Sequence, residues 1–143
     1  MADTQRGGLS GKLCSDCGEI EAAFRHWGDL VPKGKIGFFC MYCWNERREA
    51  ASRGESPKPL GVKPLKVPKE FIDKAIKVTT QSGSVYEFGT PNETGERSVF
   101  CNARKLKFNS CRIFSLAYSK DLWLQSADGK SLLWATTPVV LIE

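Results

Sequence analysis

The sequence predicts an α+β chain in two parts: a small cysteine-bearing module at the N-terminal end, then a small antiparallel β-barrel or sandwich. Three observations carry that prediction. Four of the six cysteines fall in two C-x-x-C pairs, Cys14/Cys17 and Cys40/Cys43, with 22 residues between the pairs. Residues 55–69 hold four of the seven prolines, which marks a change in chain character. From residue 70 onward, short runs rich in β-branched and aromatic residues alternate with turn residues.

The cysteine pairs come first because their chemistry is the most specific. Two thiolates spaced by two residues can face one ion from a single tight turn. Two such pairs complete a tetrahedral S4 set, which suits one structural Zn2+. Gly18 directly follows the first pair, where the turn needs a residue that accepts positive φ. The run from Trp44 to Arg53 is a good helix former and is ended by Gly54. Residues 35–40 read as a strand entering the second pair, with residues 32–34 as the turn of a hairpin. Ile36, Phe38 and Phe39 are the expected cover of the metal site. A knuckle first and then a pair at a helix start resembles the treble-clef zinc-finger family. That resemblance gives Cys14, Cys17, Cys40 and Cys43 the ligand role. GATA-type and Arf-GAP-type treble clefs have similar gaps, and only the ligand role carries over from them.

The expected organisation is therefore a flexible arm over 1–11, a zinc module over 12–54, a basic Pro-rich linker over 55–69 and a small β-domain over 70–143. Fewer than 60 residues bury little core alone, so metal is expected to supply the missing stability of the module. In the last segment, strands are expected at 78–80, 84–88, 98–101, 113–118, 122–125, 132–136 and 139–142. Asp128-Gly129 lies between Leu124 and Leu132 and argues for a hairpin. The patterns V-T-T-Q-S-G-S-V-Y-E and W-A-T-T-P-V-V-L-I resemble small uncharacterised β-domains of actinobacterial and phage proteins.

Net charge is +5, with 21 Lys/Arg against 16 Asp/Glu. Residues 46–77 carry nine basic and five acidic residues, so most of the excess lies on the helix after Cys43 and on the linker. Arg47, Arg48, Arg53, Lys58, Lys63 and Lys66 are the resulting candidates for phosphate contact. A second basic cluster, Arg104, Lys105, Lys107 and Arg112, is interleaved with Phe108 and offers a second candidate for nucleic acid, with a plain loop as the alternative. No apolar leader and no run of 18 apolar residues is seen, so neither secretion nor a membrane partner is expected. Cysteines spaced as thiolate ligands fit a reducing cytosol, and a cytoplasmic location is expected.

Catalytic chemistry is harder to assemble. An S4 shell has no open position for water, so the zinc reads as structural. Cys101 and Cys111 lack ligand spacing and read as free thiols. His26 is the only histidine. Its place between the cysteine pairs resembles the HNH nucleases, whose pattern has a further histidine where this chain has Trp44. His26 is instead expected to pack beside Trp27. The expected function is a non-enzymatic zinc-binding adaptor that binds nucleic acid through the basic helix and linker. A protein-interaction module is the alternative, and a degenerate HNH-like nuclease the second alternative. No small-molecule substrate is indicated.

Overall fold

A computed structural model describes residues 4–6, 11–64 and 66–143. The chain divides into two compact units, Met1–Pro64 and Leu65–Glu143. The division falls inside the Pro-rich segment. Residues 58–63 are hydrogen-bonded within the first unit, whereas Val67 and Phe71 pack on the core of the second.

The first unit holds a three-stranded antiparallel sheet of β1 (Thr4–Arg6), β2 (Phe24–His26) and β3 (Gly37–Phe39), followed by helix α1 (Met41–Ser52). The expectation of a flexible arm over 1–11 is corrected at Thr4–Arg6, whose backbone pairs with Phe24–His26. The rest of that expectation, residues 1–3 and 7–10, lies outside the described residues. The turn joining β2 to β3 contains Gly34 at φ 82°, a conformation that favours glycine. Gly37 is required for a different reason. A Cβ there would lie 2.2 Å from the Phe39 ring, and that ring is fully buried. Phe39, Ile20, Phe24 and Leu30 form the apolar interior beside the cysteines. Ile36 does not join them: it is 45% exposed, so its expected role as cover of the metal site is corrected.

The second unit is a six-stranded antiparallel sheet. Its strands are β4 (Ile76–Thr80), β5 (Val85–Phe88), β6 (Arg97–Cys101), β7 (Leu106–Ser115), β8 (Asp121–Ser126) and β9 (Leu132–Ile142). Each pairs with the next, and β9 also pairs with β4, so the sheet returns on itself. Strand β4 shows buried residues at alternate positions, Ile76, Val78 and Thr80, as one inward face requires. Inward side chains of all six strands form one core that includes Val78, Tyr86, Val99, Leu122, Leu124 and Val139. Trp134 closes on this core and donates from Nε1 to the Tyr86 hydroxyl at 3.2 Å. The Asp128-Gly129 hairpin forms between β8 and β9, with Gly129 at φ 80° and Lys130 N donating to Asp128 Oδ1 at 3.0 Å. The strand expected at 113–118 is longer and earlier. β7 starts at Leu106, where Leu106 and Phe108 face inward and Lys107 and Asn109 face out. No helix among the described residues is long and apolar enough to cross a membrane.

Candidate metal centre and basic surfaces

Two turns of the first unit bring four cysteines to one point. The first is closed by Gly18 N donating to Cys14 O at 3.0 Å and Cys14 N to Ile20 O at 2.8 Å, with Gly18 at φ 70°. It is pinned to β3 from both sides: Ser15 N donates to Phe38 O, and Phe38 N donates to Ser15 Oγ at 2.9 Å. The second pair enters α1. Cys40 is the residue before the first turn, with φ −73° and ψ 168°, and Cys43 lies within that turn. No side chain caps this helix end. With a cation bound, these two cysteines would be thiolates and would supply the negative charge that a helix N-terminus favours.

The ligand atoms of Cys14, Cys17, Cys40 and Cys43 all lie within 4.8 Å of one another, and all four residues are buried. A tetrahedral site with Zn–S bonds of about 2.3 Å places its sulfurs about 3.8 Å apart, so this cluster fits zinc with little adjustment. The four thiols also contest their protons. Cys17 is held far below the ordinary thiol range by hydrogen bonds from Cys14, Cys40 and Cys43. Cys14 falls to about 7: contact with Cys17 raises it, and hydrogen bonds from Cys40 and Cys43 outweigh that. Cys40 and Cys43 are pushed up, by contact with Cys14 and then with Cys17. A divalent cation removes this contest by accepting all four as thiolates. The donor set is saturated in that state, so a bound zinc would act as a staple.

Around the cluster runs a polar clamp. Asp16, 2% exposed, lies between Cys14 and Cys17. Arg47 on α1 grips it with two parallel bonds, Nε to Oδ2 and Nη2 to Oδ1, each 2.8 Å. The same guanidinium donates to the carbonyls of Leu30, Lys58 and Pro59 at 3.0, 2.8 and 3.0 Å. Asp16 Oδ1 accepts in turn from Gly61 N at 3.0 Å, and Lys63 Nζ donates to Cys17 O at 3.2 Å. Residues 58–63 are thereby strapped onto the cysteine turn. Arg47 is therefore corrected as a phosphate contact: it is 8% exposed and fully engaged inside the unit.

The other five phosphate candidates have different surroundings. Arg48 is exposed on α1, and Arg53, just after the helix, pairs with Glu55 at 2.6 Å. Lys58 is exposed on the strap, and Lys63 reaches the cysteine turn. Lys66 belongs to the second unit, where its Nζ lies 4.8 Å from the Phe114 ring centre.

His26 is 2% exposed on β2. Its Nε2 accepts from Leu30 N at 3.3 Å, and its ring meets Trp44 edge-on with centroids 5.1 Å apart. Trp44, which also stacks on Phe24 at 4.9 Å, is the packing partner in place of the expected Trp27. The Trp27 ring instead faces the Arg25 guanidinium at 5.4 Å. Cys101 and Cys111 are both free and fully buried in the second unit's core.

The second basic cluster is better placed than sequence reasoning showed. β7 pairs with β6 so that Lys107 lies opposite Phe100, which in turn lies opposite Glu87. Phe100 is 43% exposed, and Lys107 is exposed beside it. Arg104 and Lys105 follow in the turn between the two strands, also exposed. Glu87 is drawn to the other side, toward Lys77 Nζ at 3.9 Å. The alternation of apolar and basic residues over 106–109 was the available signal for this strand. Comparison with known proteins finds no matching family model, curated protein or solved structure.

Proposed function

We propose that the chain is a non-enzymatic adaptor: a treble-clef-type module stapled by one zinc ion, joined to a β-unit that binds nucleic acid. The carrying observation is Phe100, an exposed ring on the outer sheet face with Lys107 opposite and Arg104 and Lys105 in the adjoining turn. An exposed ring offers a stacking platform for an unpaired base, and flanking cations hold its phosphates. Nothing in that cluster reads a base edge, so binding is weak and tolerant of sequence. The helix-and-linker route loses support with the burial of Arg47 and the pairing of Arg53.

Two observations support a non-enzymatic reading of the module. A four-sulfur shell leaves zinc no position for a substrate water. His26 Nε2 is taken by the Leu30 amide, which disfavours the HNH-like alternative. Metal-dependent strand cleavage that His26→Ala abolishes would restore that alternative.

The test is anisotropy of fluorescein-labelled oligo-dT and oligo-rU with the zinc-loaded chain across a salt series. With about three phosphate contacts, log K falls with log salt at a slope of about −2. Phe100→Ala weakens binding by about fivefold or more, the loss of one base stack. Lys107→Ala flattens the salt slope. No association at low salt removes the reading.

A further inference from the structure

The first unit carries a cleft that neither the cysteine cluster nor the nucleic-acid reading uses. It has a volume of about 790 Å3 and is walled by Trp27, Pro32, Ile36 and Pro57, with Lys33 and Lys35 on its rim. That volume lies in the range of natural ligand sites, about 300–1,000 Å3. Its walls are apolar, and Ile36 is 45% exposed although Gly37 and Phe39 beside it are buried.

The walls are held in place before any ligand arrives. On one side, the β2–β3 loop is closed by Lys35 N donating to Pro32 O at 3.0 Å, with Gly34 at φ 82°. Pro57 stands on the other side, at the start of the strap. Arg47 fixes the next two carbonyls, those of Lys58 and Pro59. Trp27 is braced by the Arg25 guanidinium at 5.4 Å from its ring. A groove fixed in this way loses little entropy on binding.

We propose that this cleft binds a short, extended, acidic peptide segment of a partner protein, anchored by apolar side chains. The apolar walls take the anchors, such as Leu or Pro, against Trp27 and Ile36. Lys33 and Lys35 select the sign of the flanking residues by charge complementarity. Asp29 also lines the cleft, with His26 Nε2 3.8 Å from its carboxylate. Two cations against one anion leave the rim positive. Together with the β-unit's basic face, the chain would join an acidic protein segment to nucleic acid through separate surfaces.

The test uses the full zinc-loaded chain and three sets of fluorescein-labelled octapeptides. One set alternates Asp or Glu with Leu and Pro, a second replaces the acids with Lys, and a third replaces the apolar residues with Gly and Ser. The first set binds saturably, the other two do not, and amide NMR shifts centre on Trp27 and Ile36. Lys33→Glu/Lys35→Glu weakens the first set by about tenfold, as the loss of two rim pairs predicts. The same variant gains binding to the lysine set, an exchange that misfolding does not produce. Trp27→Ala removes binding while zinc content stays at one per chain. Phe100→Ala changes nothing, which separates this site from the nucleic-acid face. Three results overturn the proposal: no saturable binding of the first set, affinity unchanged by the charge reversal, or displacement of the peptide by oligo-dT.

Discussion

Arg47 in the first unit and Arg97 in the second are 8% and 4% exposed, and both hold a neighbouring segment by its carbonyls. Arg47 binds the carbonyls of Leu30, Lys58 and Pro59 and completes its charge with Asp16. Arg97 on β6 binds the carbonyls of Lys74, Phe71, Ile72 and, at 3.4 Å, Gly89. Burial is the main influence on Arg97 and lowers its pKa, while the charge of Asp73 acts the other way. The contrast follows from what each unit is built of. In the first, Asp16 is buried between two cysteines, and only a cation with several donors satisfies it. In the second, thirteen buried residues form a continuous core, and backbone carbonyls supply the hydrogen bonds to the buried charge.

Metal removal is the strongest way to separate the units. Chelation, or Cys14→Ser with Cys40→Ser, is expected to unfold the module. Structural zinc sites supply about 10–16 kcal/mol in zinc-finger peptides. The apolar interior of the first unit is too small to replace that. The second unit keeps its fold, because its core contains no metal ligand. Amide NMR should therefore lose dispersed signals from residues 11–64 and keep those from 66–143. Loss of both sets together breaks the comparison and makes the chain one cooperative unit.

The arginines come next in size. Arg47→Met strands a buried carboxylate, so it should cost about 3–5 kcal/mol. Arg97→Met leaves carbonyls short of donors but no unpaired charge, and should cost less, about 1–3 kcal/mol. Adding Asp16→Leu to Arg47→Met should recover part of the first loss, whereas Arg97 has no such partner to remove. Guanidinium unfolding of each variant, followed by signals of the affected unit, checks the order. A larger loss at Arg97 would show that the carbonyl clamp matters more than the ion pair.

A smaller effect belongs to Cys111, which faces the second core. Burial pushes its thiol up to about 11 from 9.0, against a smaller opposite pull from Arg97. The folded value is raised above the unfolded one. The associated stability is present below pH 9 and is lost as pH rises toward 11. Near pH 10.5 the loss is on the order of 2 kcal/mol. Cys111→Val should flatten that dependence between pH 8 and pH 10.5 in denaturant titrations of the second unit. An unchanged slope would mean that the buried thiol does not titrate with folding.

These differences also explain which parts were legible in the sequence. The cysteine pairs were readable because metal geometry imposes a spacing, and Gly18 and Gly54 mark turns that need positive φ, at 70° and 80°. The Asp128-Gly129 hairpin was readable for the same reason. Asp16 and Arg47 were not, because they look like ordinary surface residues. The signal was an acid inside the first cysteine pair and an arginine one turn beyond the second, and only three-dimensional contact joins them. β7 was only half legible. Its inward pair Leu106 and Phe108 alternates with Lys107 and Asn109, and the basic residues obscured the strand period. Arg47 was misread as a surface cation because charge counted along a chain ignores which side chains turn inward.

The smallest expected effect tests whether burial, and not pairing itself, sets these energies. Arg53 and Glu55 form a 2.6 Å ion pair, shorter than either contact between Arg47 and Asp16. Their side chains are 54% and 42% exposed. The hydrogen bond to Arg53 holds the Glu55 carboxyl below the usual range, so any contribution would fade as pH falls through that depressed value. Water and salt screen an exposed pair, and holding two long side chains in register offsets what attraction remains. Arg53→Gln should therefore leave the melting temperature of the zinc-loaded chain unchanged within error, at low and at high salt. Oligonucleotide binding should also be unchanged, because Phe100 and Lys107 lie in the other unit. A destabilisation matching that of Arg47→Met would show that geometry alone decides the strength of these pairs. Weaker oligonucleotide binding in Arg53→Gln would return the phosphate contact to the helix end.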